Sequence, residues 1–581
     1  MTAPNHPMLV RLTRLQSLAS RGERWLVPAL LGGLTLLLLL ALVLPGKSYS
    51  GVYTGDIMIF MDGAHRLLGG QVPNVDFHTP LGALTVLLPA FGLWMNGLGG
   101  MMPWATAAFA ILFLPLLLYI SRSRLPLAYS LGFGIYAVLL VIGPVNVGEQ
   151  VDQTSFAMFY NRWGYALLSL LFLLALPPRG ARARPMLDGA VAAALLLLMF
   201  YLKVSYFLLG FGFLVGLGLL TATRRPVLVA LAGAAILMAA IEIFWGGSGT
   251  YIADIRMAAE ASGAVRGSLF TLSRIVLLNL MAVIVFLGVL AIAVAQGVSW
   301  RIILLCLYMA GAGVLLVNQN AQMMGILTLI PAALVAALSL GGQDEGTPSQ
   351  WPRAASLLLI AALAIPPATI SLVTTGYFAA KSVRTKGDGA YQAELAGLIV
   401  EEGAIDAFKV GADVQRAAYR TGQPTLEMYN KMRNQRFKQV FSQPEYLRTL
   451  EDGVRLLGSD PRLSGKVFVF DMGNPFNALL GREPPAGVDA WNHNGRTMTA
   501  ALHRPPEKML ADVDVVMVPK VSTELSTTQL MEQVYGPYLK RRFQLLARSD
   551  YWYAYGRRRE TEAQQHRRVG PALSAIKGRS L

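Results

Sequence analysis

Eleven long apolar runs constrain the fold of this 581-residue chain more than any other feature. A membrane-crossing helix needs roughly 20 apolar residues. The runs lie near 25–45, 103–121, 126–143, 162–177, 187–203, 206–222, 227–245, 273–296, 301–317, 325–341 and 354–374. The composition agrees, since 54% of the residues are hydrophobic, only 14% are charged, and the mean hydropathy is +0.48. We therefore predict an all-α polytopic membrane domain of about 11 transmembrane helices over 25–374.

A weaker apolar run at 81–98 decides the topology. If it crosses the membrane, the basic clusters at 122–124 and 179–184 fall outside the cytoplasm; if it lies on the surface, both fall inside. The second alternative obeys the positive-inside rule, and we adopt it. It predicts a cytoplasmic N-terminal segment, 1–24, and a first external loop, 46–102. That loop would carry two surface helices, at about 56–68 and 81–98.

The last 207 residues differ in composition from the rest of the chain. They carry 30 of the 50 Lys and Arg residues and 22 of the 34 Asp and Glu residues. Helix-like patterns occur at 391–400 and 444–457, and strand-like patterns occur at 466–471, 513–518 and 551–555. This mixture predicts an extracytoplasmic α/β domain over 375–556. The basic end, 557–581, has few apolar residues and is expected to be disordered.

Several classes of protein are disfavoured by the sequence. Much of the net charge of +16 lies in short arginine clusters beside apolar runs, which are better explained as topology signals, and we expect no nucleic-acid partner. The single cysteine, Cys306, allows neither a disulfide framework nor a cysteine metal site. The first apolar run is too long for the core of a signal peptide, and we expect a retained helix. No phosphate-binding loop and no His-Glu-x-x-His motif is present.

The segment from Tyr53 to Pro80 carries the most informative pattern. An acid just beyond the first span is followed by a helical stretch, a glycine stop, and a turn rich in Pro and Asp. This pattern resembles the first external loop of C-type glycosyltransferases, where an acid precedes a juxtamembrane helix ending in Leu-x-Gly and then a Pro-rich turn. The matching positions are Asp56, Ala64, Leu68, Gly70, Pro73, Asp76 and Pro80. The sequence departs from the pattern at Ile57, where many members carry a second acid.

The resemblance implies an integral membrane glycosyltransferase with the GT-C fold, located in a bacterial inner membrane. Its partners would be a polyprenyl-phosphate sugar, membrane lipid, and an extracytoplasmic acceptor that is a glycan, a lipid or a protein. A single displacement would invert the anomeric centre, because no second carboxylate nucleophile is needed. The active site and the C-terminal domain would face away from the cytoplasm.

Asp56 is the predicted catalytic residue. Sugar transfer to an acceptor hydroxyl needs a base that takes the hydroxyl proton, and a carboxylate can serve. The alternative is that Asp56 only caps the helix that follows it, as Asp commonly does.

Asp76 and His78 are predicted to contact substrate or metal, or else to form a hydrogen-bonded turn. A divalent cation shared by Asp56 and Asp76 is conceivable, although no metal-binding motif supports it. Asp62 and Arg66, spaced i,i+4, are expected to form an ordinary surface pair.

Lys203 interrupts a largely apolar stretch from Val191 to Leu220. A lysine at membrane depth is costly and tends to mark function. The stretch from Tyr201 to Tyr206 resembles the Leu-x-Lys turn of C-type glycosyltransferases, although Leu202 adjoins the lysine directly. The resemblance implies that Lys203 neutralises the donor phosphate. The alternative is a lysine that snorkels to the interface.

The loop at 145–162 combines polar groups with aromatic neighbours, an arrangement that suits a sugar. The polar residues are Glu149, Asp152, Asn161 and Arg162, and the aromatic ones are Phe159, Tyr160 and Trp163. We predict that Asn161 and Arg162 bind substrate, with the donor phosphate as an alternative ligand for the arginine. Interfacial aromatics are also expected without any ligand. Glu242, Asn318, Gln319, Asn320 and Gln322 could line the cavity or mark helix ends.

Two other functions remain open at the level of sequence. A polytopic transporter also combines many spans with a few buried charges, but transporters usually show internal repeats and broken helices in matching halves. Neither feature is evident here. A ligase that moves a whole glycan could use the same type of fold, and only its substrate would distinguish it.

Overall fold

The computed structural model describes most of the chain. The described residues are 7–151, 153–179, 184–266, 269–320, 324–340, 350–384, 392–395, 397–401, 443–520 and 522–558. Asp152, Gln322 and nearly all of the basic end lie outside these ranges, so the predictions made for them stay predictions. The described part is mostly helical, with two small sheets.

Helices occupy every one of the eleven apolar runs. The helices before residue 385 are α1 (Pro7–Val43), α2 (Thr54–Leu68), α3 (Leu84–Arg124), α4 (Leu127–Ile142), α5 (Phe159–Phe172), α6 (Pro185–Leu202), α7 (Val204–Leu220), α8 (Arg224–Trp245), α9 (Ser248–Arg266), α10 (Leu269–Leu278), α11 (Leu280–Ala295), α12 (Trp300–Gln319), α13 (Leu329–Leu338) and α14 (Gln350–Arg384). The apolar runs carry few charged residues, as expected for segments buried in lipid. In lipid the backbone N–H and C=O groups have no water to bond, and a helix satisfies them within each segment.

Six of these helices are long and apolar enough to cross a membrane within the described ranges: α1, α3, α6, α8, α12 and α14. A seventh is added if α10 and α11 form one bent span. The shorter helices α4, α7 and α13 are apolar but have only 16, 17 and 10 residues. These helices indicate a membrane protein, and the count of eleven spans stays a prediction.

The outer faces of the bundle are strongly apolar. Leu219, Ile243 and Phe244 are 75%, 81% and 91% exposed. Exposed apolar surface on this scale is typical of a lipid-facing protein. In contrast, every residue of α5 is buried. The helix α5 is therefore central to the bundle, and it contacts α3, α4, α6, α7 and α13.

The run at 81–98 and the following span form one helix with a break. In α3 the backbone leaves helical geometry at Asn96 and Gly97, and Gly97 has φ +61°. Glycine adopts this conformation without a Cβ clash. The break separates the part of α3 nearest α2 from the apolar part that begins near Pro103.

A second break interrupts the predicted span at 273–296. Helices α10 and α11 meet at Asn279 with a bend of 77°. The Asn279 Nδ2 donates to the Ile275 carbonyl at 2.8 Å, and its Oδ1 accepts from the Gly325 N–H at 2.9 Å. The Asn279 side chain thus links the bend to the residues before α13. The bend is one broken helix, and it does not test whether broken helices recur in matching halves, as they usually do in transporters.

The first loop and the tail share a three-stranded sheet. Its strands are β1 (Ser48–Tyr49), β2 (Gln392–Leu395) and β3 (Leu398–Glu401), in the order β1-β3-β2. Strand β1 is parallel to β3, and β2 is antiparallel to it. The predicted helix at 391–400 was therefore wrong. Gly397, with φ +86°, turns the chain there, and the branched residues that follow pair with β1.

The rest of the described tail is a small α/β unit. The helix α15 (Gln443–Ser459) precedes a four-stranded sheet of order β4-β5-β7-β6. The strands are β4 (Val467–Val469), β5 (Val515–Pro519), β6 (Phe543–Arg548) and β7 (Trp552–Arg557), with short helices α16 (Phe476–Leu480) and α17 (Pro506–Met509) and the longer α18 (Leu525–Arg542). The helix predicted at 444–457 and the three predicted strands are confirmed, and β6 is additional.

Helix α2 lies between the bundle and the tail. The Thr54 N–H donates to Gln443 Oε1 at 2.8 Å, and Arg66 Nη1 donates to the Pro485 carbonyl at 2.6 Å. The Arg66 and Asp62 side chains pair at 2.8 Å, and both are fully buried. The predicted i,i+4 pair therefore exists, but it is not on the surface because the tail covers it.

Candidate functional site

Asp56 lies in the first turn of α2, and it is not the helix cap. The N-cap residue is Tyr53, which has φ 57° and makes no side-chain capping hydrogen bond. A left-handed conformation is uncommon for an aromatic residue and is often found near functional sites. Helix capping therefore does not account for the Asp56 carboxylate.

The Asp56 carboxyl group has an unusual electrostatic environment. Burial raises its pKa to about 6; the nearby Arg496 guanidinium opposes this rise, and the Glu149 carboxylate adds to it. No donor among the described residues hydrogen-bonds to the Asp56 carboxylate. Its oxygens are thus available to accept a proton, and the group is mostly ionised at neutral pH.

Tyr53 and Glu149 form one wall beside Asp56. The Tyr53 hydroxyl donates to Glu149 Oε1 at 2.8 Å. Burial and the neighbouring Glu149 carboxylate raise the Tyr53 pKa well above its usual value. The phenol therefore stays protonated and acts as a hydrogen-bond donor near Asp56.

The tail covers this end of α2. A Cβ atom at Gly55 would lie 3.7 Å from Thr523 Cγ2, 3.9 Å from Met472 Cε and 4.0 Å from Tyr446 Cε1. The loop 491–497, here called the roof loop, is anchored by an Asn492 N–H bond to the Met472 carbonyl at 3.0 Å. It also carries Arg496, the cation that acts on Asp56. The tail thus supplies a charged and polar cover for the predicted base.

Lys203 occupies the extended residue between α6 and α7, with φ −163°. Its ammonium donates to Asn161 Oδ1 at 3.1 Å and also to Asn320 Oδ1. It lies 5.0 Å from the ring centroid of Tyr160. The structure therefore joins two predicted site residues, Lys203 and Asn161, and adds Asn320 at the end of α12.

Arg162 is the most unusual charged group in the bundle. Its side chain is 1% exposed, and its Nε, Nη1 and Nη2 atoms have no hydrogen-bond partner among the described residues. Tyr165 and Ser169, one and two turns further along α5, also have buried hydroxyls without a partner there. An unpaired buried cation is expensive, and this one could be compensated by an anionic ligand.

The first loop and the lysine turn are direct neighbours. The Gly82 N–H donates to the Leu202 carbonyl at 3.2 Å. A Cβ atom at Gly82 would lie only 2.1 Å from the Tyr201 carbonyl oxygen, so this approach requires glycine. The ring of Phe60, four residues after Asp56, packs against the Tyr160 ring, with 6.1 Å between the ring centroids. The elements that carry Asp56 and Lys203 therefore meet at the same end of the bundle.

Asp76 and His78 belong to a different cluster, joined to Asp56 by no described contact. The Asp76 Oδ2 atom accepts from the Val72 N–H at 2.7 Å, which is a hydrogen-bonded turn. The His78 Nδ1 atom lies 3.2 Å from Asp254 Oδ1 on α9. Asp76 is therefore bonded within its own turn, and His78 is paired with an acid on another helix.

Asp254 and Arg504 complete that cluster, and sequence reasoning missed them. Asp254 is 3% exposed and accepts from Arg504 Nη2 at 2.6 Å. The Arg504 Nε also donates to Asp489 Oδ1 at 2.7 Å. Burial favours the neutral Asp254, but His78 and Arg504 outweigh it and lower its pKa. His78, Asp254, Asp489 and Arg504 form the interdomain clamp, which ties the first loop and α9 to the tail.

No protein-family model, curated protein or solved structure matches this chain. Within the described ranges, no group of three or more His, Cys, Asp or Glu side chains could hold a metal ion. Arg496 was also missed from the sequence, because its place above Asp56 depends on how the tail packs. Asn320 had been noticed only as a polar residue at a helix end.

Proposed function

We propose that this chain is an integral membrane glycosyltransferase with the GT-C fold, which moves a sugar from a polyprenyl-phosphate donor to an extracytoplasmic acceptor. The single observation that carries the proposal is the Asp56 carboxylate, which has a raised pKa and accepts no hydrogen bond from any described residue. It lies at the same end of the bundle as the Lys203 ammonium and as Arg162, whose guanidinium has no partner in the described part of the chain. A base beside a cationic pocket matches the needs of sugar transfer from a phosphate.

In the proposed reaction, the acceptor hydroxyl oxygen attacks the anomeric carbon while Asp56 takes the hydroxyl proton. The bond between the anomeric carbon and the phosphate oxygen breaks, and its electron pair leaves with the polyprenyl phosphate. A direct displacement of this kind inverts the anomeric centre. At neutral pH, a base with a pKa of about 6 is ionised and still basic enough to assist.

The donor phosphate is proposed to bind near Lys203 and Arg162. Lys203 is held by Asn161 and lies over the Tyr160 ring, so its ammonium is oriented before any donor arrives. Arg162 supplies a planar guanidinium, which suits phosphate oxygens and has no other partner among the described residues. Two cations would stabilise the negative charge that develops on the leaving phosphate.

The acceptor is proposed to enter beneath the roof loop. The Trp491 indole N–H and the Asn492 Oδ1 are buried and have no hydrogen-bond partner among the described residues. An aromatic ring beside a free amide oxygen suits a sugar or another polar acceptor, which needs an apolar face and hydrogen-bonded edges. A glycan, a lipid headgroup or a protein side chain could supply the acceptor hydroxyl.

The proposed topology has eleven spans, a cytoplasmic segment at 1–24, and an external tail in a bacterial inner membrane. A reporter that is active only outside the cytoplasm, fused after Leu581, should give a signal. A signal seen only from a cytoplasm-specific reporter would overturn the eleven-span topology.

The function is tested with purified protein and a panel of radiolabelled polyprenyl-phosphate sugars, using membrane extract as the source of acceptor. We expect one donor to yield labelled product and free polyprenyl phosphate, and Asp56→Asn to abolish both. Asp550→Asn, at an exposed position between β6 and β7, is the control and should retain transfer activity.

The bend between α10 and α11 is the one observation that favours a transporter instead. Reconstituted vesicles distinguish the two functions. A transporter would move labelled sugar across the membrane without forming a new glycosidic bond. A glycan ligase would accept only donors that carry a long glycan, and this result would narrow the substrate without changing the chemistry.

A further inference from the structure

A cavity lies at the end of the bundle opposite Asp56. It has a volume of about 400 Å³, within the usual range for small-ligand sites. Its walls come from the end of α3, the start of α6, the α7–α8 turn and the residues after α5. The charged lining is Arg124, Asp188, Arg224 and Arg225, and the rest is largely apolar.

The charges in this cavity do not balance. The Arg124 Nη2 atom pairs with Asp188 Oδ1 at 2.9 Å, and both side chains are buried. That pair neutralises the single acid, while Arg224 and Arg225 form no ion pair among the described residues. In addition, the buried Arg124 Nε has no hydrogen-bond partner there. Counting the described residues alone, the cavity therefore keeps a local excess of two positive charges and one buried donor without an acceptor.

The apolar lining indicates what kind of anion fits. Leu174, Leu214, Leu217 and Val227 line the same cavity as the arginines. A small inorganic anion would leave this surface without a partner. A phospholipid would use both parts, with its phosphate at the arginines and an acyl chain along the leucines.

We propose that this cavity binds the phosphate headgroup of an anionic phospholipid from the leaflet on that side of the membrane. In the topology that obeys the positive-inside rule, this leaflet is the cytoplasmic one. Basic pockets between transmembrane helices on that side recognise anionic headgroups. The inference concerns a structural lipid and does not depend on the glycosyltransferase activity.

The test uses full-length protein in detergent, stripped of lipid, and native mass spectrometry. The probes are dioleoyl phosphatidylglycerol, dioleoyl phosphatidylcholine with the same chains, and inorganic phosphate. We expect the protein to retain phosphatidylglycerol at least about tenfold better than phosphatidylcholine, and phosphate not to compete. Arg224→Ala and Arg225→Ala should each weaken retention roughly fivefold, which corresponds to about 1 kcal/mol per basic residue.

Arg301→Ala is the matched control. Arg301 lies in the first turn of α12, and its Cζ atom is 5.8 Å from the ring centroid of Trp300. It does not line the cavity. It should leave lipid retention unchanged. Equal retention of the two lipids, displacement by inorganic phosphate, or the same loss in all three variants would overturn the proposal. Arg124 is kept in every variant, because its removal would leave Asp188 without its cation.

Discussion

The Lys203 ammonium donates a hydrogen bond to Asn161 Oδ1 at 3.1 Å, across 42 residues of sequence. This contact joins the α6–α7 junction to the start of the central helix α5. The ring of Tyr160, the residue before Asn161, lies beneath the same ammonium. The residue after Asn161 is the buried Arg162, which has no hydrogen-bond partner within the described ranges. Three consecutive residues therefore shape one cationic region, and the two cations can be tested separately.

Lys203→Ala should weaken binding of the proposed donor by about 10- to 100-fold, because a charge-assisted contact to phosphate is lost. Binding of a labelled polyprenyl-phosphate sugar to purified protein measures the effect. Lys381→Ala is the control, since Lys381 also lies over an aromatic ring, that of Tyr377 at 5.4 Å. Normal donor affinity in a well-folded Lys203→Ala protein would favour simple snorkelling.

Arg162→Met should leave the melting temperature unchanged or raise it, while donor binding falls at least about tenfold. The reason is that this guanidinium has no protein partner among the described residues, so its removal relieves an uncompensated buried charge. Arg66→Met is the opposite case. Arg66 pairs with the buried Asp62, and its loss should destabilise the fold by about 3–5 kcal/mol.

Thermal unfolding and donor binding are measured on both proteins. If Arg162→Met destabilises the fold as much as Arg66→Met does, then Arg162 has a structural role and the phosphate assignment fails.

Local sequence patterns predicted much of this fold. The apolar runs predicted the positions of the helices correctly, because backbone groups in lipid must be satisfied within each segment. The alternating patterns in the tail gave β4, β5 and β7. The helix predicted at 391–400 failed because its residues pair with Ser48 and Tyr49, far away in the sequence. A periodic pattern over ten residues does not show which distant segment those residues will pair with.

The candidate site was predictable only in part for the same reason. Asp56 and Lys203 could be found because each interrupts or borders an apolar run. Arg496, Asp254 and Arg504 lie in polar stretches where charged residues are ordinary, and only the packing of the tail on the first loop brings them to the site. Asp76 and His78 were found by the loop pattern, but their partners could not be.

Gly82→Ala should disrupt the contact between the first loop and the lysine turn. Its Cβ would lie 2.1 Å from the Tyr201 carbonyl oxygen, and a backbone atom cannot move aside cheaply. We expect a loss of stability of about 1–3 kcal/mol or more, together with weaker donor binding. Gly249→Ala is the control, because nothing lies within 4 Å of that Cβ position. Equal melting temperatures for the two variants would contradict the close packing at Gly82.

Arg504→Ala should loosen the tail from the membrane domain. Removing this cation leaves the carboxylates of Asp254 and Asp489 buried without their shared partner, which should cost about 3–5 kcal/mol. Limited proteolysis of the tail in membranes should become faster. Arg462→Ala, which breaks an exposed pair with Asp460, is the control and should change little. Unchanged protection in Arg504→Ala would mean that the interdomain clamp does not hold the tail.

Asp56→Asn tests the proposed base through pH as well as rate. The wild-type rate of transfer should rise with pH through about 6, because burial raises the Asp56 pKa to about 6 and only the ionised carboxylate can take a proton. Asn keeps the shape and removes the base, so the rate should fall by about 10²–10⁴ and its pH dependence near 6 should disappear. Donor binding should survive, since the cations are intact.

The stability of Asp56→Asn separates catalysis from folding. A carboxyl group whose pKa is higher in the folded state than in the unfolded state binds its proton more tightly when folded, so the fold loses stability as the pH rises from about 4 to about 6. The Asn variant lacks this loss and should be at least as stable as the wild type at pH 7. A variant that unfolds at pH 7 would make Asp56 a structural residue. A stable variant with near-wild-type turnover would move the search for the base to Glu149, the neighbouring carboxylate that already raises the Asp56 pKa.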